Sequence, residues 1–129
     1  MATVLIVEDD PNDLYAAAEM AEKLGFSTVE ARNTASSGQA YLEAAIEKQV
    51  ASPDVLILDL DLGYDSGHEL LRFWHKNRHN LNARVVVWTK LGDEQQEICN
   101  LFKVDAVVSK LQGIEALRLA IKPMAAKAS

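Results

Sequence analysis

Three short runs in this chain hold no polar residue: Val4-Leu5-Ile6-Val7, Val55-Leu56-Ile57-Leu58 and Val85-Val86-Val87-Trp88. Successive side chains of a β-strand point to opposite faces, so a run that is apolar at every position needs cover on both. Strands of that kind belong to a parallel sheet with helices packed above and below it. Each run is followed directly by polar groups: Glu8-Asp9-Asp10 after the first, Asp59 after the second and Thr89 after the third.

The segments between these runs read as helices. Asp10-Pro11 opens the first, with the aspartate as cap and the proline where no N–H is needed. Leu14, Ala17, Ala18, Ala21 and Leu24 form its apolar stripe and Gly25 stops it. Residues 26–31 read as a second strand. Thr34 then caps a helix with Leu42, Ile46 and Val50 on one stripe, ended by Ser52-Pro53. Ser66-Gly67 leads into a third helix with Leu70, Leu71 and Trp74 inward, and Gly92-Asp93-Glu94 starts a fourth bearing Ile98, Leu101 and Phe102. Residues 105–109 form a fifth strand. Ile114, Leu117, Ile121 and Met124 stripe a final helix whose frayed end is marked by Pro123. The expected fold is α/β: a (βα)5 doubly wound parallel five-stranded sheet of flavodoxin-like strand order 2-1-3-4-5, with right-handed crossovers, forming one domain over residues 1–129. That order sets the ends of strands one and three side by side, so Glu8, Asp9, Asp10 and Asp59 share one crevice.

At 129 residues and 49% apolar composition, the chain can bury a single core of ordinary size. A formal charge of −6 with scattered basic residues argues against a nucleic-acid surface, which needs clustered Lys and Arg, and suits cation binding. No apolar run reaches membrane-spanning length and no basic leader precedes Val4, so the expectation is a cytoplasmic protein that does not engage a membrane. Cys99, the single cysteine, sits in an amphipathic segment and reads as a packed thiol. His75 and His79 lie one helical turn apart with Lys76 and Arg78 between them, which favours a solvated face over a transition-metal site.

Carboxylates that converge within a few ångströms repel one another unless they are protonated or bridged by a cation, and a hard divalent ion such as Mg²⁺ is the natural bridge. Helix capping accounts for Asp10 but not for Glu8, Asp9 and Asp59 together. Thr89 and Lys110 leave strands four and five at the same end of the sheet. A hydroxyl and an ammonium beside metal-bound carboxylates suit charge developing on a phosphoryl group.

Glu8-Asp9 after an apolar strand, Asp59 six residues past Pro53, Thr89 closing the Val85-Val86-Val87-Trp88 strand, and Lys110 before the last helix together resemble the receiver domain of two-component response regulators. The resemblance spans essentially the whole chain. It implies that Asp59 is the phosphoacceptor and that Glu8, Asp9, Asp59 and the backbone carbonyl of Asp61 hold Mg²⁺, with Asp9 the more direct ligand of the acidic pair. It implies that Thr89 is the switch hydroxyl and Lys110 the ammonium that pairs with the phosphoryl group. The phosphoryl group would come from the phosphohistidine of a histidine kinase or phosphotransfer protein, or from a small phosphodonor. The output would be a partner surface around the fourth helix, and homodimerisation through the helix four to helix five face is one arrangement open to such a chain. On this reading the protein is a stand-alone receiver without an output domain. It is not an enzyme acting on an outside substrate, and catalyses only its own phosphorylation and dephosphorylation.

Four positions differ from the family's usual pattern: Val107 replaces an aromatic residue, Leu111 a proline, Lys90 a small residue, and Gly63 a proline in the loop after the acceptor. They keep open a degenerate receiver that docks without being phosphorylated. Asp59-Leu60-Asp61 also resembles the nucleophile and acid–base pair of haloacid-dehalogenase-type phosphatases. That family's further acids should follow the lysine, whereas the only carboxylate after Lys110 is Glu115.

Overall fold

The computed structural model describes residues 2–62, 65–90 and 93–128. Among the described residues the strands are β1 (Thr3–Val7), β2 (Thr28–Arg32), β3 (Val55–Leu58), β4 (Asp61–Leu62), β5 (Asp65–Ser66), β6 (Arg84–Thr89) and β7 (Ala106–Ser109). The α-helices among the described residues are α1 (Pro11–Lys23), α2 (Ala35–Ile46), α3 (Gly67–Asn77), α4 (Asp93–Phe102) and α5 (Ile114–Ala128), alternating with the strands except where β3, β4 and β5 run in succession. Five strands form one parallel sheet in the order β2-β1-β3-β6-β7, which is the expected 2-1-3-4-5 once the small β4–β5 hairpin is set aside. The hairpin is an addition to the expected plan, and its Leu62 is buried in the core. Gly63 and Gly92, assigned from sequence to the acceptor loop and to the start of the fourth helix, lie outside the described residues.

The doubly apolar strands divide the core in two. Leu5, Val7, Leu56, Leu58, Val85 and Val87 meet α2, α3 and α4 through Leu42, Leu70, Leu71, Trp74 and Cys99. Val4, Ile6, Val55, Ile57, Val86 and Trp88 meet α1 and α5 through Ala17, Met20, Ala21, Leu117 and Ile121. Each fully buried Leu, Ile or Val side chain contributes about 1.5–3 kcal/mol, so the central strands carry much of the stability. Burial also pushes the Cys99 thiol up to about 11, consistent with a packed, unreactive sulfur. No helix among the described residues is long and apolar enough to cross a membrane.

Several helix ends differ from expectation for local reasons. In α1 the Asp10 carboxylate accepts from the Asn12 and Asp13 amides, as a cap should. Gly25, at φ +100°, closes that helix, its amide donating to the Glu22 carbonyl while Phe26 donates to Ala21. The same pair of bonds closes α2 at Ile46 and α4 at Phe102, but with Lys48 (φ 62°) and Lys103 (φ 56°) in the left-handed position. With no glycine to mark it, the stop of α2 comes earlier than the Ser52-Pro53 pair suggests, and Val50, expected on its apolar stripe, lies beyond the helix and exposed. Leu101 is likewise not inward: α4 packs through Ile98, Cys99 and Phe102, and Leu101 points out at 72% exposure. The second strand, expected over residues 26–31, runs from Thr28 to Arg32, and Phe26 is buried just before it. Pro123 does not end the last helix. The bond it cannot make would run to the carbonyl of Leu119, and both residues are exposed, where water can satisfy that group.

His75 is not on a solvated face. It is half-buried between α3 and α4, its ring edge-on to Phe102 at 5.3 Å, with Nδ1 3.2 Å from the Phe102 carbonyl. His79 is exposed on the short turn Arg78–Asn80.

At the start of α3 the backbone comes unusually close to the strand that carries Asp59. A Cβ on Gly67 would lie 2.5 Å from the Asp59 carbonyl oxygen and 2.6 Å from the Leu60 Cα, both main-chain atoms with little room to yield. Gly67→Ala should therefore destabilise the fold by roughly 1–3 kcal/mol, as overpacking does. Urea unfolding measures it, and a midpoint equal to wild type would show that the strand end can shift freely.

Candidate functional site

The C-terminal edge of the sheet gathers the polar residues that follow its strands. Beyond β1 the Glu8 amide still donates to the Arg32 carbonyl of β2, and the Asp59 amide donates to the Val7 carbonyl of β1. Both carboxylates are thus fastened by the ladder itself. Glu8, Asp59 and Thr89 are almost fully buried, at 1%, 4% and 2% exposure, whereas Asp9 and Asp61 are exposed. Together with Asp10, Asp13, Lys90 and Lys110 they line a cleft of about 170 Å³.

Asp59 is the most heavily engaged group there. Its Oδ1 accepts from the Thr89 hydroxyl at 2.6 Å and from the Asp61 amide at 3.0 Å, and its Oδ2 accepts from Lys110 Nζ at 2.8 Å. Glu8, Asp9, Asp59, Asp61, Thr89 and Lys110 therefore line one cleft, and the contact Asp61 makes there with Asp59 is through its amide N–H, not the carbonyl expected to hold the metal. Val107 packs half-buried against the core at the adjoining strand.

Two neighbours were not anticipated. Asp13, in the first turn of α1, accepts a second hydrogen bond from Lys110 Nζ at 2.8 Å. Trp88 lies with its ring centre 5.1 Å from the same nitrogen, within cation–π range. The one available signal for Asp13 was a carboxylate in the first turn of a helix that starts at the ligand-binding edge of the sheet.

Charge here is unbalanced. Lys110 Nζ lies 2.6 Å from Glu8 Oε2 as well as bonding Asp13 and Asp59, so one ammonium faces three carboxylates, with Asp9 beside them. Burial works to lower the Lys110 pKa, but Asp13, Asp59 and Glu8 outweigh it and hold the ammonium well above the ordinary lysine range. Burial pushes the Glu8 carboxyl up to about 7, opposed by Lys110 and the Asp10 amide, with Asp59 adding to the rise. Glu8 Oε2 lies against Lys110 Nζ and has no other polar partner among the described residues. One oxygen from each of Glu8, Asp9 and Asp59 lies within 4.8 Å of the others. Octahedral ligands at ~2.1 Å sit roughly 3–4 Å apart, so this donor set suits a small hard divalent cation.

Comparison with known proteins agrees with this arrangement. The family model of the response regulator receiver domain matches residues 4–122. Protein PilH of Pseudomonas aeruginosa is 29% identical over 98 residues, covering 76% of this chain and 75% of PilH. A CheY-like receiver domain protein from Methanospirillum hungatei superposes with a TM-score of 0.79 at 26% identity, covering 99% of this chain and 96% of that one. The BeF3-activated receiver domain of DrrB, a Thermotoga maritima protein, gives 0.76 at 25% identity, covering 96% and 97%.

The raised Glu8 pKa has a thermodynamic counterpart. The folded protein keeps the Glu8 proton up to about pH 7 while the unfolded chain releases it near 4.5, so between these values the folded state binds more protons. In chelator-treated protein the Glu8 contribution to stability should therefore fall as pH rises from about 4.5 to 7. Thermal melts across that window test this against Glu8→Gln, which does not titrate. A wild-type profile no steeper than that of the variant would contradict it.

Proposed function

Because the chain belongs to the response regulator receiver domain family and so works in two-component signalling, we propose that Asp59 is its phosphoacceptor, with Mg²⁺ held by Glu8, Asp9, Asp59 and the Asp61 carbonyl. The observation that carries this reading is the double tether of Asp59: one carboxylate oxygen faces the Thr89 hydroxyl and the other the Lys110 ammonium. A nucleophile so fixed at the end of a central strand presents a carboxylate oxygen to an incoming phosphoryl group with little entropy left to lose. The donor is the phosphohistidine of a histidine kinase or phosphotransfer protein. Its P–N bond breaks as the P–O bond to Asp59 forms, and the imidazole leaves. Bound Mg²⁺ offsets the negative charge on the transferring group.

The chain's own residues do the remaining work. Lys110 turns an N–H from the carboxylate to a phosphoryl oxygen and stabilises charge as it develops. Thr89, already 2.6 Å from Asp59, makes the corresponding change with its hydroxyl, and the accompanying shift of β6 biases the surface around α4 toward a downstream partner. Water hydrolyses the acyl phosphate and resets the site. The protein acts on no other substrate, and the haloacid-dehalogenase-type alternative loses its footing because its metal-binding acids should follow the lysine.

Two substitutions test this. With a small phosphodonor and Mg²⁺, Asp59→Asn should lose all labelling on a Phos-tag gel and by intact mass while retaining its fold. Labelling at wild-type stoichiometry in that variant would move the acceptor elsewhere. Asp9→Ala should weaken Mg²⁺ binding at least about tenfold, since even outer-shell changes at metal sites cost 10–100-fold. Unchanged affinity would undo the proposed ligand set.

A further inference from the structure

Lys110 makes two directed hydrogen bonds, and they end on carboxylates of different kinds. One goes to Asp59, at the end of β3 and within the acidic triad. The other goes to Asp13 in the first turn of α1, ninety-seven residues away in sequence and outside that triad. Its third carboxylate contact, with Glu8, is ionic and lacks hydrogen-bond geometry. Below the ammonium lies the face of Trp88, and Lys110 itself opens the short turn Lys110–Gln112, with Leu111 exposed.

A lysine side chain is long and flexible, and holding it still costs conformational entropy that partners must offset. When a divalent cation is bound by Glu8, Asp9 and Asp59, two of the three carboxylates facing Lys110 are shared with a competing positive charge. Once Asp59 carries a phosphoryl group, the Asp59 hydrogen bond is also replaced. Among the described residues, Asp13 is the one acceptor of a Lys110 hydrogen bond that neither event touches. Its own position is secure, because Asp10 caps the helix and accepts from the Asp13 amide at 3.3 Å.

We propose that Asp13 is a positioning residue for Lys110, keeping its ammonium in the cleft while Glu8, Asp9 and Asp59 are engaged by metal and phosphoryl group. This rests on the reading of Asp59 as the acceptor, but the anchoring itself can be observed without phosphorylation. The carboxylate stays outside the reaction and acts only through the lysine. Trp88 closes the remaining side of the ammonium, so the Lys110 head group is bounded by charge in front and by an aromatic face behind.

Lysine ammonium protons held by ion pairs exchange slowly enough to give ¹H–¹⁵N correlations, whereas those of exposed lysines do not. In ¹⁵N-labelled full-length protein the Lys110 resonance is identified by its loss in Lys110→Arg. It should persist in wild type with and without Mg²⁺. In Asp13→Asn and more so in Asp13→Ala it should broaden or vanish on adding Mg²⁺, with far-UV circular dichroism unchanged. Labelling of Asp13→Ala by a small phosphodonor should slow roughly three- to tenfold, the lower range for a charge-assisted hydrogen bond at a partly exposed pair. A resonance as sharp in Asp13→Ala as in wild type with Mg²⁺, or a wild-type Lys110 that exchanges as fast as exposed lysines, would overturn the proposal. If wild type shows the anchored ammonium but takes no phosphoryl group, the anchoring stands and the acceptor assignment is what fails.

Discussion

Parallel pairing of β1 with β3, Val7 beside Leu58, is the contact on which the arrangement of this molecule depends. β2 joins β1 on one side while β3 and β6 extend the sheet on the other, so the chain changes direction across the sheet between β1 and β3. Connections leave that point on opposite faces and open a crevice beyond the strand ends. The acids that follow the two strands have to meet there. The apolar runs 4–7 of β1 and 55–58 of β3 make a register slip costly, because both faces are packed and the sheet cannot move relative to its helices.

The meeting of those acids creates an electrostatic problem that the chain solves in part. Lys110 reaches in from β7 and places one positive charge among Glu8, Asp13 and Asp59. An ammonium has three donors, and a cluster with this excess of carboxylate remains net negative and partly unsatisfied. The Glu8 carboxyl, raised first by burial and further by Asp59, is one expression of that remainder. A divalent cation and a proton are alternative ways to settle it, and only the cation leaves the cleft equipped for phosphoryl chemistry.

The strands and their terminal groups were legible because both signals are local: an apolar run identifies a doubly covered strand, and the next residue is the one its end displays. Glu8, Asp59 and Thr89 could be placed together on that basis alone. What sequence did not disclose depended on partners distant along the chain or on conformations that residue type does not announce. Asp13 gains its role from a lysine on the far side of the fold, and His75 from the carbonyl of Phe102 on the next helix. Lys48 and Lys103 occupy positions where glycine would have advertised a helix stop, so the ends of α2 and α4 carried no visible mark. Pro123 misled in the opposite direction, since a proline on an exposed helix face need not end the helix.

The aromatic ring beneath Lys110 gives the site an optical side. Trp88 is buried, its indole N–H has no partner among the described residues, and a formal positive charge lies 5.1 Å from its centre. The excited state of an indole responds to the field of nearby charges, and here those are the Lys110 ammonium and the carboxylates it faces. The chain has only one other tryptophan, Trp74, whose indole is held on the opposite side of the sheet by the Ala83 carbonyl. Trp88 is therefore the tryptophan that shares its surroundings with the charges of the cleft, while Trp74 lies across the sheet from them.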